Sequence, residues 1–285
     1  MQELFNTRRT PPIAGTACLL LLAMTGGACA LSQEPRLVTF PQLKSKPVLH
    51  IAGVFDYRTA IASIDAILRR DLGFEAFPVT YAFYPNRTAF EGALVQRGHA
   101  PAFARTTART MIAVGGHRGV LINDAALSAM EWPDRTLLLA HELTHSLQYE
   151  LAGGRRGTSD QWLREGFADW ASIRTLERLD GGSMRHFKAR RERELRAAGR
   201  TAVPALGEMT TFQQWVEIGA TRGAAAYAKS FLAVDLLIER HGVASVLDYF
   251  TRFAASEDRT GNFEAAFGRT LNEFDGAVQA TLWPR

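Results

Sequence analysis

The chain has 285 residues, 47% of them hydrophobic and 22% charged, with 33 Lys and Arg set against 29 Asp and Glu. That length and balance supply a substantial core and exclude intrinsic disorder as the default state. The net charge of +4 is scattered, and its densest cluster, Arg185 to Arg196, also holds Glu192 and Glu194; it reads as a solvated helix face, not as a stripe for nucleic acid.

In chain order, Arg8 and Arg9 precede an apolar run, residues 13–24, that is shorter than a bilayer span. Ala28-Cys29-Ala30 follows, with small residues at the spacing of a cleavage site. The pattern predicts a signal peptide over residues 1–30 and an exported protein, periplasmic or secreted. The alternative is a lipoprotein acylated at Cys29, although Gly26 then stands where such signals carry an aliphatic residue; only in that form does the chain meet a membrane. Cys18 and Cys29 are the two cysteines of the sequence. A mature chain starting at Leu31 has no thiol, so any metal falls to His, Asp or Glu.

Residues 31–48, punctuated by Pro35, Pro41 and Pro47, read as an extended lead-in. Residues 58–72 repeat apolar side chains at helical spacing (Ile61, Ile64, Ile67, Leu68) up to a stop at Gly73. A strand is expected over 78–85, a helix over 86–96, and two short strands within 109–122 joined by Gly115-Gly116. Pro133-Asp134 opens a helix over 134–151 that is apolar on every side at residues 137–140, which predicts burial. After Gly153-Gly154 a second helix starts at Ser159 or Asp160, either of which suits a cap, and runs to Gly181. A basic helical stretch, a loop with Pro204, a helix over 223–240 ended by Gly242, and helices over about 243–254 and 262–280 complete the chain. No repeat or linker divides it. The expectation is one α+β domain over 31–285, with a small strand-containing part at 49–133 and a helical part at 134–285.

The chemistry concentrates in His141-Glu142-Leu143-Thr144-His145. Histidines four residues apart on a helix lie one turn apart on one face, so both imidazoles reach one ion at about 2.0–2.1 Å, and the intervening Glu addresses a water on that ion. Two ligands do not complete a hydrolytic site, which ordinarily has three and leaves a position for water. The longer form of the motif, with a glycine and a third histidine downstream, is excluded because Gln148 and Leu151 occupy those positions. Glu165 on the next helix, with nineteen residues between it and His145, is the expected third ligand, set among Trp162, Leu163, Phe167 and Trp170. Asp169 shares its helix face and suits the hydrogen bond that a metal-bound imidazole donates from its far nitrogen, here toward His141. His50, His99, His117, His186 and His241 have no motif around them.

HELTH followed by WLREGFADW resembles the gluzincin metallopeptidases, and within them the peptidase MA-like family; the likeness is tight over residues 137–171. It implies a zincin-like fold, one zinc ion per chain held by His141, His145 and Glu165, a peptide or protein substrate, and Glu142 as general base. It also implies that Gly166 and Ala168 let the two metal-bearing helices pack closely. Related gluzincins use a tyrosine from a later helix to stabilise the oxyanion, and Tyr227 is the candidate, its alternative being simple packing with Phe231 and Val234. Two further readings keep the same residues: a zinc amidase acting on cell-wall peptides, and a zinc-bearing binding module without catalysis.

Overall fold

The computed structural model describes residues 34–40, 45–155 and 157–284. The leader expected over residues 1–30, with both cysteines, lies outside the described residues. Among those described, no helix is long and apolar enough to cross a membrane.

The architecture is α+β: a small mixed sheet on the N-terminal side, then helices. Four strands, β1 (Arg36–Phe40), β2 (Val79–Tyr84), β3 (Ala113–Gly116) and β4 (Gly119–Asn123), lie in the order β1-β2-β4-β3. β2 and β4 are parallel, with Tyr81 opposite Val120, and the two outer pairings are antiparallel. Alternation decides the faces. Tyr81, Phe83, Val120 and Ile122 point into the main core, whereas Ala82 and Leu121 point into a smaller cluster under α2 (Arg87–Gln96) and α3 (Pro101–Thr110). The main core takes in α1 (Tyr57–Leu72) and continues without a break as far as Leu282.

Local chemistry sets the helix ends. Asp56 accepts from the Thr59 amide at 2.8 Å to start α1, and Gly73, at φ 71°, ends it. The short α4 (Asp124–Ser128) leads to α5 (Trp132–Leu151), which carries Pro133 in its first turn, where a missing N–H costs nothing. α6 (Gln161–Arg178) and α7 (Met184–Ala198) follow, then α8 (Phe212–His241), α9 (Val243–Arg252), α10 (Arg259–Phe267) and α11 (Leu271–Leu282).

Four elements differ from the sequence expectation. The lead-in contributes β1, whose register against β2 the proline count did not suggest. Residues 101–110 form a helix whose buried side chains are only Ala104 and Ala108, too thin a stripe to read. The helix expected over 223–240 is the second half of α8, which kinks at Arg222 (φ −130°, ψ 24°) and starts at a Thr211–Gln214 capping box. The helix expected over 262–280 is two, broken at Gly268 (φ 68°) and restarted by Thr270. In addition, the β3–β4 turn is His117-Arg118, with Arg118 at φ 54°, and Gly115-Gly116 belongs to β3 itself.

The two glycines nearest the motifs serve close approach. A Cβ on Gly115 would stand 2.6 Å from the Glu142 carbonyl oxygen, so only glycine lets β3 lie against α5. A Cβ on Gly166 would stand 2.3 Å from the Ser230 carbonyl oxygen of α8. Gly166 therefore seats α6 against α8, not against the other motif helix as the resemblance implied. Gly166→Ala is expected to destabilise the protein by about 2–3 kcal/mol, because the obstructing atoms are backbone and overpacking outweighs the gain of alanine in a helix. For a chain of this size that is a fall of about 4–12 °C in Tm. An unchanged Tm in thermal unfolding would show that α8 yields freely.

Candidate metal centre

α5 and α6 run side by side, and each turns one charged face inward. On α5, His141 and Glu142 are buried, and His145 keeps a side-chain exposure of only 12%. On α6, Glu165 and Asp169 are buried as well. Ligand atoms of His141, His145 and Glu165 all lie within 4.8 Å of one another, and the group could hold a metal ion.

The separations are close to those of a coordination shell. His141 Nε2 and His145 Nε2 are 3.0 Å apart, and they stand 3.4 Å and 3.7 Å from Glu165 Oε2 and Oε1. Ligands at 2.0–2.1 Å around a tetrahedral ion would be about 3.3 Å apart. The outer nitrogens explain why both Nε2 atoms face this point. His141 Nδ1 lies 2.9 Å from Asp169 Oδ1, and His145 Nδ1 lies 3.0 Å from Gln148 Oε1. Each Nδ1–H donates to its oxygen, which leaves each Nε2 with a lone pair. Two lone pairs at 3.0 Å repel unless a proton or a cation lies between them.

The electrostatics agree. Burial alone would lower the His141 pKa, but the hydrogen bonds and charges of Asp169 and Glu165 outweigh it and raise the value to about 10. Burial would raise that of Glu165, yet His145 and His141 hold it well below the usual carboxylate range. Two buried carboxylates beside two imidazoles attract positive charge, and the His-His-Glu donor set suits a divalent metal ion.

Several supporting groups were not legible in the sequence. Gln161 Nε2 donates to Glu165 Oε1 at 2.7 Å, one turn back on α6. Gln148, which marked only the absence of a longer motif, bridges the two helices, since its Nε2 donates to the Arg164 carbonyl at 2.9 Å. The i, i+3 spacing from His145 was the available signal. Glu142 Oε2 accepts from the Gly115 amide at 2.5 Å, and Ser146 donates to the Gly116 carbonyl at 2.8 Å, so α5 grips the outer edge of β3 at two points.

Tyr227 lies on α8, partly buried, with its ring edge-on to Trp215 at 4.8 Å. Burial lifts its phenol pKa well above 10, and the charges of Glu165, Asp169 and Glu142 lift it further. The structure thus brings Tyr227 into the field of the same carboxylates and keeps it a hydroxyl donor. The other histidines do not join. His50 pairs with Asp180, His117 with Glu150, His99 stacks on Phe103, His241 meets Phe267 edge-on, and His186 lines a surface groove at residues 180–190.

The start of α6 is fixed from the far end of the chain. Asp160, almost fully buried, accepts from the Tyr249 hydroxyl at 2.9 Å, and its amide donates to the same oxygen at 2.8 Å. Burial raises the Asp160 pKa from 3.8 to about 6 against the lowering effects of Tyr249 and Arg259. A raised carboxylate pKa means that the folded state holds its proton longer than the unfolded one. Stability therefore falls as pH rises from 3.8 to about 6, by about 3 kcal/mol in all. Asp160→Asn keeps an acceptor for Tyr249 and is expected to flatten that slope. Urea unfolding of both proteins across the window, with chelator present, checks it; identical slopes would assign the titration elsewhere.

No protein-family model matches this chain, and comparison with curated proteins and with solved structures also returned no match.

Proposed function

We propose that this protein is a zinc metallopeptidase of the gluzincin kind, with a zincin-like fold. The observation that carries the reading is the convergence of His141, His145 and Glu165 on one point while Glu142, next in sequence to the first histidine, hangs from the sheet edge. A structural metal site has no use for a buried base beside it, and this disfavours a silent binding module.

In this reading the three ligands hold one zinc ion, whose chemistry is to acidify a water and polarise a scissile carbonyl. Glu142 takes the proton of the attacking water and later delivers it to the departing amine. Asp169 and Gln148 keep the two imidazoles in the ligand tautomer. Tyr227, held protonated, donates to the oxygen that gains charge. Export to the periplasm or beyond is part of the proposal and rests on residues 1–30 alone.

The test is hydrolysis by the zinc-loaded mature protein, assayed on a peptide library and on cell-wall peptides, with and without chelator. Cleavage of the library supports the peptidase, and cleavage confined to cell-wall amides supports the amidase that the same residues would serve. Stoichiometric zinc with no cleavage of either would leave the binding module as the better description.

A further inference from the structure

Beside the metal centre a pocket of about 190 Å³ opens between α5, α6 and α7. Its apolar walls include Leu137, Leu138, Ile173, Leu176 and Phe187, and His141 and Asp169 also line it. Pockets for whole small molecules begin at about 300 Å³, so this one suits a single side chain or chain end. Whatever fills it lies next to a metal ligand.

Arg190 and Arg191 line the same pocket. Arg191 is 5% exposed. Its Nη1 donates to Glu194 at 2.8 Å, but its Nε and Nη2 are buried and have no hydrogen-bond partner among the described residues. These two nitrogens carry the parallel N–H groups that grip a carboxylate side-on. Arg190, stacked over Phe187 at 4.9 Å, also has a buried Nε that makes no hydrogen bond among the described residues and reaches Glu194 only at 3.6 Å. Buried N–H groups of a guanidinium are expensive to leave unmade.

The negative groups facing the pocket do not answer them. Asp169 is engaged with His141 through Oδ1, and Asp134, at the first turn of α5, feels the charge of Arg190 but forms no ion pair with either arginine among the described residues. Burial and the charge of Glu131 raise the Asp134 pKa, against the lowering effect of Arg190. Glu194, which both arginines share, is 41% exposed and lies on their own helix.

We propose that this pocket is a specificity subsite for a carboxylate of the substrate, gripped by Nε and Nη2 of Arg191 with its aliphatic stem along the apolar walls. The substrate class is an acidic peptide, with the carboxylate supplied either by a side chain or by the chain terminus adjacent to the cleaved bond. The inference rests on the peptidase reading for the identity of the ligand, but it is tested by binding alone.

The probes are N-acetylglutamate α-amide, which offers a side-chain carboxylate, N-acetylglutamine, which offers a terminal one, and N-acetylglutamine amide, which offers neither. Calorimetry is run on zinc-loaded wild type, Arg191→Gln and Arg191→Lys at matched zinc content. One of the two carboxylates is expected to bind wild type, and which one identifies the source. That probe should bind Arg191→Gln about thirtyfold more weakly, the low end for removing one partner of a buried charged pair. Arg191→Lys should fall between, having the charge without the fork, and it carries the test should Arg191→Gln fail to fold. Equal carboxylate binding in wild type and both variants would assign the contact to the metal or elsewhere and overturn the subsite. So would binding of the diamide as tightly as the acids, or no binding of any probe. Each of these outcomes is independent of whether a peptide bond is cut.

Discussion

Glu142→Gln is expected to lower kcat/KM by about 10²–10⁴ while the protein keeps its zinc, an increase of about 3–5 kcal/mol in the barrier. The size follows from what the substitution removes. Glutamine has nearly the shape of glutamate, and its amide oxygen can still accept from Gly115, so β3 stays against α5. None of the three ligand atoms changes, and metal content is the internal control. What is lost is the group assigned to take the water's proton, and the neighbouring carboxylates are engaged with the histidines: Asp169 with His141 through Oδ1, and Glu165 with both imidazoles and Gln161. Steady-state hydrolysis beside metal analysis reads the outcome. Full activity with full zinc would remove Glu142 from the chemistry and with it the mechanism proposed here.

Glu165→Ala should act on the other half of the site. Partners that merely orient a ligand cost about 10–100-fold in metal affinity when removed, and losing a ligand outright should cost more. Zinc per chain after dialysis is therefore expected to fall from near one in wild type to a small fraction in the variant. Thermal stability should follow. A tightly held ion adds about 4 kcal/mol at a thousandfold excess over its Kd, and the variant should show little of that gain when zinc is added. Retention of stoichiometric zinc would mean that the two histidines recruit a different third ligand, and Asp169 would be the first to examine.

The contrast between what sequence and structure reveal is clearest around this site. HELTH was legible because helical periodicity alone puts His141 and His145 on one face, and Glu165 because the intervening loop is short and its surroundings are apolar. The approach of Asp169 to His141 follows from the same periodicity one helix away. Gln161 and Gln148 were not legible, since glutamine is common on helix surfaces and only the third dimension shows where its amide points. Gly115 was read as a turn glycine because paired glycines so often make turns. Its actual reason, the closeness of β3 to α5, is a contact between elements and leaves no periodic trace. The helix over 101–110 failed for want of apolar residues, and the long α8 because its first half, from Phe212 to the kink at Arg222, has a weak apolar face.

The grip of α5 on β3 divides the centre in a way that matters for partial unfolding. All three candidate ligands belong to two helices packed on each other, whereas Glu142 takes its bearing from the edge of the sheet. Proteins open in pieces, and short edge strands are among the pieces that open at least cost. On the proposed mechanism, a molecule whose β3 has peeled away would keep the ligand set between α5 and α6, while Glu142 would have lost its tether and swung free. Metal content would count such a molecule as intact, and a substrate would find it idle.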